Sequence, residues 1–210
     1  RKELSEPLPM RSLMVSFIAP LPPGPVTVTA RIQRQGRNVT QMAAEVHSDG
    51  AICLQAMAAF GVAREELVVS PSRAAPEPRD SGLQIAEHRK RLPEFLQYFD
   101  GAWVSDALPF SGTKSNTLNM WVTHRTDMSG FAAEKLVAIA DIPPPVVLSY
   151  FDTPPVPASS LTWSLEFVQP VEHIDSDWFY LQFVAEAAAE GYTQQSGRIY
   201  TESGDLCALS

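Results

Sequence analysis

The sequence predicts an α+β fold made of two repeats, each an antiparallel sheet wrapped around a helix. Three observations predict it. An apolar strand pattern occurs twice, as MRSLMVSFIAP at 10–20 and as SLTWSLEFVQP at 160–170, with Phe17 on Phe167 and Ile18 on Val168. A second pair of stretches, VHSDGAICLQA at 46–56 and YTESGDLCALS at 200–210, puts Gly50 on Gly204 and Cys53 on Cys207. The offset is 150 residues at the first match and 154 at the second, so one long repeat accounts for both. Third, a segment of helical length that is apolar all round precedes the second copy. Such a helix belongs inside a protein.

The first copy reads as strands over 11–18, 26–33, 39–47 and 51–60. Val26-Thr27-Val28-Thr29-Ala30-Arg31-Ile32 alternates cleanly, as an antiparallel strand with one buried face should. Asp49-Gly50 and Ser203-Gly204 are hairpin signals, because glycine takes the positive φ of a tight turn. The second copy reads as strands over 161–168, 178–187, 193–201 and 205–210, prefaced by a strand over 116–125 and a helix over 131–140. From Leu136 to Leu148 the only polar side chain is Asp141. The first copy should own an equivalent strand and helix, yet only nine residues stand before Met10. The expectation is a natural sequence that begins before Arg1, the alternative being a degenerate first unit. Residues 63–95, with PSRAAPEPRDSG and EHRKRLP, read as an exposed Pro-rich crossover. The predicted organisation is a first repeat over 1–62, a linker over 63–95 and a second repeat over 96–210.

Composition narrows the function. A net charge of −8 argues against a nucleic-acid surface. The four histidines are far apart in the chain and show no metal-ligand spacing, so no metal and no cofactor is expected. Two cysteines are too few for a disulfide framework; Cys53 and Cys207 read as buried structural thiols in a reducing compartment. No apolar run approaches the ~20 residues of a membrane helix. The opening RKELSEPLP lacks the apolar core of a signal peptide, so a cytoplasmic location without a membrane span is expected.

A strand, a buried helix carrying an Asp, a Pro-rich loop, Ser-Leu-x-x-Ser and a strand triplet ending in T-E-S-G-D-L together resemble the acyl-CoA thioesterase II family. The resemblance is firmest from Asn116 to Ser210. It implies a double hotdog fold and hydrolysis of fatty acyl-CoA to a free fatty acid and CoA, with acyl-CoA as the partner and a homo-oligomer as a possibility. It also implies a catalytic set of an Asp, a Ser or Thr about two dozen residues later, and a Gln on the last strand. These fall on Asp141 and on Ser160, with the Gln expected just after Ser210. The Asp-His pair that follows the hydroxyl in the family is replaced here by Thr162-Trp163.

The chemistry suits such a set. A thioester is hydrolysed when water is held against its carbonyl carbon and deprotonated there. A carboxylate in a mostly apolar groove gains basicity from desolvation. Asp141 has a plainer reading as the N-cap of a turn opened by proline, and Ser160 as the start of a strand. Thr162 is a weak candidate for substrate contact. For the CoA phosphates, Arg34 and Arg37, with Arg31 beside them, form one candidate cluster, and Arg89-Lys90-Arg91 another. Two further readings stay open. One is a non-catalytic acyl-CoA or lipid-binding module, favoured by the replaced Asp-His pair. The other is a hydratase acting on enoyl or hydroxyacyl thioesters, which would want a His where Val146 stands.

Overall fold

The computed structural model describes residues 8–64 and 68–210. In chain order the strands are β1 (Met10–Phe17), β2 (Thr27–Gln35), β3 (Val39–Ser48), β4 (Ala51–Gly61), β5 (Leu83–Gln84) and β6 (Phe99–Trp103). They continue with β7 (Thr117–His124), β8 (Thr162–Phe167), β9 (Phe179–Ala189), β10 (Tyr192–Thr201) and β11 (Leu206–Leu209). The helices are α1 (Ile85–His88) and α2 (Ala132–Ala140). The chain divides into two compact units. The first holds the described residues up to Val69 together with Ser159–Val171; the second holds Ser70–Ala158 and Glu172–Ser210.

In the first unit the strand order is β2-β3-β4-β1-β8, antiparallel throughout. The duplicated strands are neighbours. Met14 pairs with Ser164, its own counterpart in the repeat, flanked by Leu13 with Leu165 and Val15 with Trp163. Antiparallel pairing of equivalent residues is a local two-fold relation between β1 and β8. The register gathers apolar rows on one face, such as Ile32–Met42–Ala58–Leu13–Leu165. The other face carries polar rows, such as Thr29–Glu45–Gln55–Ser16–Thr162. There Gln55 Nε2 donates to Glu45, which also meets His47 Nε2 at 3.1 Å; these bonds hold the Glu45 carboxyl below its ordinary value. Among the described residues this unit contains no α-helix.

The second unit orders its strands β11-β10-β9-β7-β6-β5, again antiparallel. Its β9-β10-β11 meander repeats β2-β3-β4. Each meander has a bulge at the matching place, where the register skips Cys53 on β4 and Cys207 on β11. Both thiols are buried and each donates to the carbonyl two residues back, Ala51 and Asp205. One face of the sheet is solid hydrocarbon: Leu118, Met120 and Val122 pair with Phe183, Leu181 and Phe179, all buried. Helix α2 packs here, burying Ala133, Leu136, Ile139 and Ala140 and laying Lys135 over the Phe179 ring at 5.6 Å. A helix on one face of a curled antiparallel sheet is the hotdog arrangement that the repeat predicted.

The opposite face corrects the expectation of a bare linker over 63–95. Trp121, Tyr180, Tyr200, Ala102 and Leu206 form an aromatic cluster there, against which Ala74 and Trp178 pack. Leaving such a cluster wet would be costly, and the crossover covers it. Trp121 Nε1 donates to the Glu77 carbonyl at 2.7 Å, and Asn119 Nδ2 and the Tyr180 hydroxyl donate to Glu77 Oε1. Burial, reinforced by the Glu77 charge, pushes the Tyr180 hydroxyl up to about 12. Arg79 stacks at 4.6 Å from the Trp178 ring and pairs with Glu202. Further along, Ile85 is fully buried, and Arg89 donates to the carbonyls of Leu96 and Phe99 and pairs with Asp100. The segment is a strap, held by the Glu77 carbonyl and by the side chains of Glu77, Arg79 and Arg89.

The strap is pinned at one hairpin. Ala74 N–H donates to the Gly204 carbonyl at 3.0 Å, and a Cβ on Gly204 would lie 2.4 Å from the Ala74 oxygen. Its counterpart Gly50 has a similar φ, +81 against +85, but open space around it. Gly50→Ala therefore adds only the strain of an L side chain at positive φ, at about 1 kcal/mol, whereas Gly204→Ala adds a clash as well and should cost about 2–3 kcal/mol. Chemical denaturation of the two variants checks this; equal losses would mean that the strap contact at Gly204 contributes nothing.

Candidate active site

Asp141 follows the last turn of α2, among buried neighbours: Ile139, Ala140 and Ile142 are each 5% exposed or less. Asp141 itself is exposed. Its backbone is helical, φ −89 and ψ −3, and Ile142 N–H returns to the Ile139 carbonyl at 3.2 Å. The expected N-cap role is thereby corrected: Asp141 caps the C-terminal end of α2. The three prolines Pro143-Pro144-Pro145 carry the chain on before the next turn, Val146–Tyr150, whose N-cap is Pro145.

This is an adverse place for a carboxylate. The C-terminal end of a helix carries partial negative charge, so cations are favoured there and anions are not. No hydrogen bond or ion pair reaches the Asp141 side chain among the described residues. Solvent touches the carboxylate, yet the surrounding protein removes enough of its hydration to raise its pKa above the ordinary 3.8. The fold thus exposes an acid that is partly dehydrated and has no partner among the described residues. Where a sequence breaks local rules without a compensating contact, a functional role is the usual reason.

The other predicted residues lie in the first unit. Ser160 is exposed, and the next residue anchors the chain, with Phe17 N–H donating to the Leu161 carbonyl at 2.9 Å. Thr162 opens β8 opposite Ser16, on the polar face. Arg31 and Arg34 sit on β2 opposite Ala43 and Gln41, and Arg37 lies in the following hairpin; all three are exposed. Arg89 is committed to Asp100 and so leaves the second basic cluster. Two grooves mark this unit. One of about 360 Å³ lies along β2 and the β3–β4 hairpin, lined by Thr27, Thr29, His47 and Asp49 among others. The other, of about 140 Å³, lies against Leu13, Met42, Ala44 and Ala56. Among the described residues, no group of three or more His, Cys, Asp or Glu is placed to hold a metal ion. No helix among them is long and apolar enough to cross a membrane.

Gln195 is the residue that sequence reading missed. Its Oε1 accepts the Val146 N–H at 3.0 Å, tying the segment after Asp141 to β10. In the sequence it is one of two adjacent glutamines in a strand, and the bulge that separates Gln194 from Gln195 leaves no mark there.

Fold and repeat define a double hotdog protein, and solved structures agree. A hotdog-fold protein from Alicyclobacillus acidocaldarius superposes with a TM-score of 0.82 at 21% identity, covering 98% of this chain and 77% of that one. The acyl-CoA thioesterase II TesB2 from Mycobacterium marinum gives 0.72 at 17% identity, covering 96% and 78%. A tesB protein from Mycobacterium avium subspecies paratuberculosis gives 0.72 at 18%, covering 96% and 76%. No curated protein matches the chain. Residues 2–61 match the acyl-CoA thioesterase N-terminal domain and residues 71–210 the acyl-CoA thioesterase C-terminal domain. The chain belongs to the acyl-CoA thioesterase family.

Proposed function

We propose that this protein hydrolyses fatty acyl-CoA to a fatty acid and CoA, with Asp141 as the general base. The observation that carries the proposal is the Asp141 carboxylate, exposed, partly dehydrated and without a partner among the described residues at the end of α2. In the reaction, Asp141 takes a proton from water as the water oxygen bonds to the thioester carbon. The resulting tetrahedral intermediate collapses, breaking the carbon–sulfur bond, and the departing thiolate takes up the proton as CoA leaves. No acyl-enzyme is needed. Ser160 is assigned to orienting the water and Thr162 to substrate contact, on the family resemblance.

Steady-state release of CoA thiol from saturated acyl-CoAs of graded length, with wild type and Asp141→Asn, tests the reading. Turnover in wild type that is lost in the variant supports it. Binding without turnover in wild type would favour the non-catalytic acyl-CoA module instead. The hydratase reading loses ground because its histidine position is Val146, which is buried and apolar.

Arg34 and Arg37 are proposed to meet the CoA phosphates. Replacing both with Ala should raise KM for acyl-CoA about tenfold at low salt with kcat little changed, as expected for charge-assisted contacts to a part of the substrate that does not react. An unchanged KM would remove this assignment and leave the hydrolytic one standing.

A further inference from the structure

We infer that Gln195 is a positioning residue for Asp141; the inference rests on the catalytic reading of Asp141 given above. The chain from Asp141 to Val146 reads Asp-Ile-Pro-Pro-Pro-Val. Proline has no N–H, so after Ile142 the first backbone donor is Val146. The Ile142 donor is spent on the helix end, at the Ile139 carbonyl. The Val146 donor goes to a side chain on another strand, Gln195 Oε1 at 3.0 Å.

Gln195 is well placed for this. It shares its strand face with Gly197 and Ile199, which pair with Phe183 and Leu181 on the face that α2 covers. A Cβ on Gly197 would sit 2.5 Å from the Phe183 ring, so the residue beside Gln195 leaves the interior to that ring. Ile142 and Val146 are both buried, at 5% and 1% exposed, and act as apolar pegs at the two ends of the proline run. A proline run is stiff and extended, so fixing its far end also fixes the near end. The near end is Asp141. An unpartnered carboxylate has no hydrogen bond of its own to hold it, so its aim depends on the backbone that carries it. Catalytic geometry is sensitive to displacements of about 1 Å, which can cost about a hundredfold.

Two variants separate the acceptor from the rest of the side chain. Gln195→Met keeps length and loses the acceptor; Gln195→Glu keeps an acceptor oxygen. CoA release and hydrogen exchange at the Val146 amide are measured in both, beside wild type and Asp141→Asn. Gln195→Met should lower kcat about tenfold, leave KM within about twofold and speed Val146 exchange, while Gln195→Glu restores most of kcat and the slow exchange. Wild-type kcat or unchanged Val146 exchange in Gln195→Met, with Asp141→Asn inactive, would overturn this inference and leave the role of Asp141 intact. Equal loss of kcat in both Gln195 variants would also overturn it. Wild-type turnover in Asp141→Asn, or none in wild type, would overturn the underlying reading and this inference with it.

Discussion

Asp141→Asn should lower kcat for acyl-CoA hydrolysis at least about a hundredfold, the lower end of what a positioned general base supplies. KM should stay within about threefold, because the amide keeps the shape of the carboxyl and loses only its capacity to take a proton. The variant should fold at least as well as wild type. A carboxyl whose pKa is raised in the folded state opposes folding wherever it is ionised, so at neutral pH the substitution removes an unfavourable charge from the end of α2. That advantage fades as pH falls below the ordinary carboxylate range, where wild-type Asp141 is protonated both folded and unfolded. Lost activity with undiminished stability separates a functional acid from a structural one.

Trp121→Ala should be strongly destabilising, at about 3–5 kcal/mol. The ring is 4% exposed and packs 5.2 Å from the Tyr180 ring, with Arg79 at 5.6 Å. Its N–H holds the Glu77 carbonyl, so truncation both opens a cavity and strands an acceptor of the strap. Trp121→Phe isolates the second effect and should cost about 1–2 kcal/mol less than full truncation. Limited proteolysis within residues 70–82 should accelerate in the alanine variant. A loss under about 1 kcal/mol, or no change in cleavage, would mean that the strap is held elsewhere.

Most of the framework was legible because it rests on periodicity and duplication. The repeat located β1 and β8, and alternation from Val26 to Ile32 located β2, although every residue of β2 is exposed and the buried face expected of it is not found. The apolar run from Leu136 to Leu148, interrupted only by Asp141, located α2, although the helix stops at Ala140 and carries Glu134 and Lys135 in its first half. The sequence could not disclose that Met14 would pair with Ser164, since register between duplicated strands is set in three dimensions. The strap was illegible for a different reason. Composition saw prolines and charges between 63 and 95, but part of the fastening uses the carbonyl of Glu77 and the amide of Ala74, which every residue type possesses. The rest uses side chains of Glu77, Arg79 and Arg89 whose partners are distant in sequence. Asp141 stands out as a lone acid in apolar surroundings, yet its place as the C-cap of α2 is not legible, because the proline after Ile142 suggests a turn that three prolines in fact postpone to Val146. Gln195 acts through a single long-range hydrogen bond, and no local pattern announces such a bond.

The most direct test is the pH dependence of kcat/KM for acyl-CoA hydrolysis in wild type and Asp141→Asn. Dehydration raises the Asp141 pKa, and the base must be ionised to accept a proton. Wild-type activity should therefore fall on the acid side through an ionisation above 3.8, and the residual activity of the variant should lack that limb. The same limb in both proteins, or a variant as fast as wild type, would contradict the assignment of Asp141 as the base.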